Sequence, residues 1–266
     1  MRSLSIPDYC EYYALLTEND HHGREWQNLT ELLVNCESGF LRHEPSYEAL
    51  MQHVLPMLVK ERIERGVSSL FMWSAGCSKG QEAYSMAMCF AQVFGHKGGL
   101  KAHITGTDIS QNALTRARTG EYSSFEIRNM PQSFKDRYMI TKNRDQGPHG
   151  AQETAVLYRH RPLYRIKKMV RDHVRFGFLN LNSPNDFWVS MQDVIFCQNV
   201  LIYFGRPDRA RVIQSLLNRL KPGGYLFLAP GEATGIEMKG AGLAPFKDAT
   251  AYRRNKEPIH VRVAKK

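Results

Sequence analysis

The chain has no Cys-x-x-Cys pair anywhere along its 266 residues. Its five cysteines, Cys10, Cys36, Cys77, Cys89 and Cys197, are odd in number and scattered, which argues against a zinc ribbon or a disulfide framework and fits a reducing compartment. His21, His22 and His43 have no companion at metal-ligand spacing, and no metal site is expected. A long apolar run is missing too. The most apolar stretch, Val194 to Phe204, is interrupted by Gln198 and Asn199 and falls short of the ~20 residues a membrane-spanning helix needs. MRSLSIPDYC reaches Pro7 and Asp8 before an apolar segment can form, so no signal peptide is expected, and the protein reads as soluble and cytoplasmic. No internal repeat or low-complexity tract breaks the chain.

What is present suits one good-sized domain with a small appendage. The chain is 42% hydrophobic and 11% aromatic, enough for a packed core. Its 36 Lys plus Arg exceed its 26 Asp plus Glu, a net charge of +10. Such an excess suits an acidic protein, a nucleic acid or an anionic surface, and does not choose among them.

Residues 1 to about 62 carry helical spacing. Tyr9, Tyr12, Tyr13, Leu15 and Leu16, then Leu29, Leu32 and Leu33, recur at three and four residues. Pro45 is placed to open a further helix, which Pro56 should kink. From Ser68 the pattern turns to alternating strand and helix, with strands over 69–75, 102–108, 174–179, 193–197 and 224–229 and helices near 80–94, 110–118 and 207–220. This alternation predicts an α/β fold with a doubly wound, mostly parallel sheet. The stretch 139–173, polar at first and then intensely basic, breaks the rhythm and reads as an insertion.

The segment FMWSAGCSKGQEAYSMA, residues 71–87, is a strand, a glycine turn and a helix start. Nucleotide sites begin this way, yet the spacing is neither the dinucleotide G-x-G-x-x-G nor a phosphate-binding P-loop. A nucleoside without phosphates is the natural guest. Asp108 ends the second predicted strand, where a carboxylate can accept both hydroxyls of a ribose, although an aspartate there can equally cap a helix.

WSAGCSKGQEAYSMA resembles the W-S-A-G-C-S-x-G-x-E-P-Y-S-x-A block of the chemotaxis receptor methyltransferases, the CheR type. VIFCQNVLIYF is similar to their I-F-C-R-N-V-x-I-Y-F block. TDISQNALTRARTGEY, LKPGGYLFL and ESGFLRHEPSYEAL extend the likeness over roughly residues 25 to 255. The resemblance implies a Rossmann-like class I methyltransferase fold. A small N-terminal helical domain, 1–62, would precede an S-adenosylmethionine-binding domain, 63–266, with a small antiparallel β insertion at about 139–173. It implies that Asp108 takes the adenosyl ribose and Glu82 the methionine amino group. Asn180 and Leu181 would line the adenine side, with Asn199 and Val200 as the floor. Ser38, Ala75, Gly76 and Ile109 would also contact the cofactor, and Arg42 and Tyr203 would flank the reactive methyl. Ala83, Gln198, Ser38-Gly39 and APGEA depart from the family pattern.

The implied reaction is S-adenosylmethionine-dependent methyl esterification of glutamates on methyl-accepting receptors, releasing S-adenosylhomocysteine. The acidic receptor helices would dock on the basic insertion, the protein acting as a monomer without nucleic acid or membrane insertion. Two rivals remain: a cofactor-binding signalling module without turnover, and a nucleic-acid methyltransferase. Against the second, the place of an Asn-Pro-Pro-Tyr element holds Asn199-Val200-Leu201-Ile202.

Overall fold

A computed structural model describes residues 6–19, 23–95, 99–142 and 162–264. The N-terminal third is helical. Helix α1 (Tyr9–Ala14) is capped by Asp8, whose Oδ1 accepts the Glu11 N–H at 3.0 Å. Helix α2 (Arg24–Leu33) has no buried residue. Helix α3 (Glu44–Ala49) holds Pro45 in its first turn and runs through one π-turn, Leu50–Val54, into α4 (Leu55–Glu64). Pro56 does not break this helix. Proline has no N–H to donate and its ring crowds the preceding turn, and a widened turn just upstream relieves that crowding.

Strand β1 (Ser69–Ala75), α5 (Gln81–Phe94), β2 (Lys101–Asp108) and α6 (Gln111–Thr119) follow. Next come β3 (Glu121–Ser123), α7 (Gln132–Tyr138), β4 (Met139–Lys142) and β5 (Leu163–Ile166). The strands β3, β5 and β4 form a separate antiparallel sheet in that order. The small sheet therefore starts upstream of the predicted insertion, at Glu121, and 143–161 lie outside the described residues. Short α8 (Lys168–Arg171) leads to β6 (Val174–Phe178), then β7 (Gln192–Cys197), α9 (Arg206–Asn218) and β8 (Leu220–Leu228). The chain closes with β9 (Ile236–Lys239), β10 (Ala241–Leu243), β11 (Thr250–Arg254) and β12 (His260–Val263).

The main sheet has the order β10-β11-β8-β7-β1-β2-β6. Its β6, β2, β1, β7 and β8 are parallel, while β11 and β10 add an antiparallel edge. Strand order reverses between β1 and β7, the switch point where doubly wound sheets place their ligands. Strands buried on both faces carry nearly continuous apolar runs, and β7 is buried throughout. Leu70 and Met72 of β1 pack into one core with Tyr47, Leu50, Val54, Leu55 and Leu58, while Trp73 and Ala75 pack into the other, beneath α9. At the opposite end of the sheet, Asp193 is 1% exposed; it accepts from Arg62, from Lys221 Nζ at 2.8 Å and from the Phe71 N–H at 2.8 Å. It pins α4, β1 and β8 to β7. Among the described residues, no helix is long and apolar enough to cross a membrane.

Candidate active site

The carboxyl ends of β1, β2, β6 and β7 open on one cavity of about 340 Å³, within the range of small-molecule sites. The turn after β1 forms its inner wall. Gly76 has φ +85, and a side chain there would bring a Cβ to 2.4 Å from Val200 Cγ2. Glycine is thus needed both for the left-handed turn and for the close approach of the loop after β7. The Gly76 and Cys77 N–H groups both donate to Thr107 O at 2.8 Å, tying the turn to the end of β2.

Asp108 ends β2. Its Oδ2 accepts the Ser78 N–H at 2.7 Å and its Oδ1 the Ser110 N–H at 2.9 Å. A carboxylate oxygen accepts more than one hydrogen bond, so both oxygens keep capacity for ligand hydroxyls. Burial lifts this carboxyl above the usual aspartate value, against the pull of the Ser110, Ser78 and Ile109 N–H groups.

Glu82 lies in the first turn of α5, buried, with the Ser74 hydroxyl donating to its Oε1 at 2.7 Å. Burial pushes it up to about 8; the Ser74 bond and the Arg42 charge oppose that shift and Glu232 adds to it. Such a group is starved of a cation.

The remaining walls come from loops. Asn180 and Leu181 follow β6, where Asn180 Oδ1 accepts the Asn182 N–H at 2.9 Å and shapes an Asx turn. Asn199, at φ +60, and Val200 follow β7, and a single 3₁₀ turn, Leu201–Tyr203, brings Tyr203 to the rim, 63% exposed. Tyr203 is therefore not a core aromatic. Ser38 and Arg42 lie on the strap between α2 and α3. The exposed Arg42 guanidinium donates to Glu37 O at 3.3 Å.

Ser38, Arg42, Gly76, Glu82, Asp108, Ile109, Asn180, Leu181, Asn199, Val200 and Tyr203 thus line one cavity. Ala75 is not among the lining residues: it is fully buried, and its side chain packs in the core with Trp73 beneath α9. A contact between Ala75 and a ligand would have to run through its backbone. Leu33 to Glu37, Tyr47, Ser78 and Gln198 also line the cavity, and sequence reasoning missed their place in it. Ser78 sits within the glycine turn, where a backbone N–H aimed at Asp108 was the available signal. Residues 33–37 carry no chemical signature of their own. Gln198 is held away from charge chemistry, its amide donating to Ser46 Oγ at 2.8 Å and Leu228 O at 3.3 Å.

The electrostatics select the guest. Among the described residues Arg42 is the one basic side chain lining the cavity, set against Glu82 and Asp108. This is unfit for a pyrophosphate and fits a nucleoside that carries a positive charge, as S-adenosylmethionine does.

The family model described as "CheR methyltransferase, SAM binding domain" matches residues 36–241. A chemotaxis protein methyltransferase of Klebsiella aerogenes is 31% identical over 232 residues, covering 87% of this chain and 71% of the relative. One of Escherichia coli is 30% identical over 232 residues, covering 87% and 72%. Chemotaxis protein methyltransferase 1 of Pseudomonas aeruginosa is 35% identical over 215 residues, covering 77% and 70%. With the glycine turn and an acidic pocket at the ends of β1 and β2 already in place, these matches settle the kinship: the chain belongs to the CheR methyltransferase family.

Proposed function

We propose that this S-adenosylmethionine-dependent methyltransferase esterifies glutamate side chains on the cytoplasmic helices of methyl-accepting chemotaxis receptors, acting as a monomer. The observation that carries the reading is the pairing, in one cavity, of the buried Glu82 carboxyl and the half-buried Asp108 carboxyl with an open rim bearing Arg42 and Tyr203. Asp108 would take the ribose hydroxyls and Glu82 the ammonium group, with Asn180 and Leu181 beside the adenine and Asn199 and Val200 beneath. When bound, the cofactor would supply a sulfonium methyl group for attack by a carboxylate oxygen, which would displace the thioether sulfur, the new O–C bond forming as the C–S bond breaks and sulfur keeps the pair. A glutamate is already ionised at neutral pH, so no residue of the chain has to remove a proton. The protein's contribution is alignment at near-attack distance. Arg42 suits an acceptor carboxylate through paired N–H donors, and Tyr203 walls the approach.

The basic stretch from Arg159 to Arg175 is proposed to draw in the acidic receptor helix. Arg159 and Arg161 lie outside the described residues. Lys167 is already engaged, its Nζ donating to Asp136 O at 2.9 Å and Arg137 O at 2.8 Å at the end of α7. Lys168, with 78% of its side chain exposed, stays available beyond its surface pair with Asp172. The division into a helical domain, 1–62, and a catalytic domain, 63–266, is retained as a proposal about the order of parts along the chain.

The test is to incubate the protein with methyl-labelled S-adenosylmethionine and receptor-bearing membranes. Base-labile label on the receptor, released as methanol, is the expected result. Base-stable label, as on an amine or nucleobase, would sink the acceptor assignment, and bound cofactor with no transfer would favour a signalling module without turnover.

A further inference from the structure

The APGEA segment after β8 departs from the family pattern and has no part in the chemistry above, yet it places a charge in the interior. Glu232 is 1% exposed. Its Oε1 accepts two backbone N–H groups, from Val200 at 2.9 Å and Leu201 at 2.8 Å, and its Oε2 accepts the Ala229 N–H at 2.8 Å. A carboxyl group in an apolar interior is costly unless its oxygens are satisfied, and here two of the three donors come from the loop that carries Asn199, Val200 and Tyr203. That loop needs an external anchor. Asn199 sits in the left-handed region at φ +60, and Val200 presses on the Gly76 turn. Within the loop the Tyr203 N–H reaches Val200 O at 3.2 Å and the Phe204 N–H reaches Leu201 O at 3.1 Å. The carbonyl side is held from the opposite direction by Arg209 of α9, which donates to Phe204 O at 3.2 Å and to the Glu232 backbone O at 3.4 Å.

We propose that Glu232, supported by Arg209, is a positioning residue for methyl transfer: its buried carboxylate fixes the Val200–Leu201 backbone and thereby the place of Val200 and Tyr203 at the reacting end of the cavity. Glu232 touches neither substrate nor cofactor in this role. The inference rests on the methyl-transfer reading of the site, but its first readouts need no methyl acceptor.

Glu232→Leu, Glu232→Gln and Arg209→Ala are compared with the unaltered protein by hydrogen exchange of residues 199–204, by calorimetry with S-adenosylhomocysteine, and by receptor methylation. Glu232→Leu is expected to expose the Val200 and Leu201 amides, raising their exchange at least ~10-fold. It should lower kcat about 100-fold, as small misplacements do, while product affinity, held through Asp108 and Glu82, falls by a smaller factor. Glu232→Gln keeps a carbonyl oxygen for both N–H groups and is expected to recover most of the protection and of kcat. Full kcat with protected amides in folded Glu232→Leu would overturn the proposal. So would a kcat loss that tracks only the folded fraction and disappears on cooling. If Glu232→Leu does not fold, Arg209→Ala decides: faster exchange with lowered kcat supports the proposal, and unchanged values of both overturn it. Absence of receptor labelling by the unaltered protein would count against the acceptor assignment instead, leaving the exchange results to judge Glu232.

Discussion

Glu82, buried, and Asp108, half-buried, are carboxyls at the same cavity, yet their surroundings differ. Asp108 is held by backbone N–H groups and keeps lone pairs for hydroxyls. Glu82 has the Ser74 hydroxyl on one oxygen, and burial raises it to about 8. A value that high favours the protonated form of Glu82 below about pH 8 in the ligand-free protein, and, on the proposed reading, an incoming ammonium group would expel that proton. Affinity for the cofactor should therefore rise as pH climbs from about 6 to 8, by up to ~10-fold per unit, and level off or fall once the ligand's own amine, near 7.7–8.0, deprotonates. Calorimetry in buffers of different ionisation enthalpy should detect proton release at pH 7. A raised carboxyl value also means that Glu82 favours the folded state at low pH and that this contribution is lost as pH rises through about 8. Glu82→Gln should then melt higher than the parent in ligand-free protein above pH 8, while losing the pH-dependence of cofactor binding. The resemblance pointed to both acids, but not to their difference in proton affinity, which depends on depth below the surface and on Glu232, 150 residues away in sequence.

The helix α2 shows how an element can be required without being part of the core. None of its residues is buried, and Leu32 and Leu33 are 82% and 74% exposed. Its apolar spacing announced a helix, but not that the stripe would stay out of the core, with Leu33 at its end lining the cavity. Glu31 holds it in place. The Glu31 carboxylate accepts from Ser110 Oγ at 2.5 Å and from the Gln111 N–H at 2.6 Å, at the N-terminus of α6. Gln27 adds a bond to Ile109 O at 3.2 Å. A carboxylate at a helix N-terminus is favoured by the unpaired N–H groups and the helix dipole. Farther along, the Ser78 hydroxyl donates to Cys36 O at 2.8 Å, so the segment is tied down at two points beside the cavity. Glu31→Ala should leave the core melting transition within about 1 kcal/mol of the parent, since Ser110 still caps α6. It should speed release of S-adenosylhomocysteine several-fold in stopped-flow dissociation, and expose the strap to protease cleavage. Unchanged release would mean that the strap does not gate the cavity. Neither Glu31 nor Gln27 carries a recognisable motif, because their partners stand about 80 residues away.

On the scale of the molecule, the parallel strands were legible because the central ones, β1, β7 and β8, are mostly buried and read as compact apolar runs between turn residues. The short antiparallel strands near the C-terminus were not. β9 and β12, paired in a sheet of their own, have four residues each and alternate exposed with half-buried positions, and β10 has three, lengths too short for periodicity to register. Strand order is also invisible in sequence, since it follows from which faces the helices cover. The far end of the sheet depends on Asp193 and its partners Arg62 and Lys221. Asp193→Ala leaves two cations without their shared anion and should cost about 3–5 kcal/mol, lowering the melting temperature by roughly 6–20 °C. Asp208→Ala, which removes only an exposed pair with Arg211, should cost under about 1 kcal/mol; urea melts of the two variants test the contrast. The unburied α2 has a further consequence, for tolerance of substitution. A helix whose side chains fill no interior space is free to change them without repacking anything, provided that Glu31 and Gln27 keep their grip on α6. Substitutions on the outer face of α2 should then leave the cavity chemistry undisturbed, and the match to the family's S-adenosylmethionine-binding domain starts at residue 36, just beyond that helix.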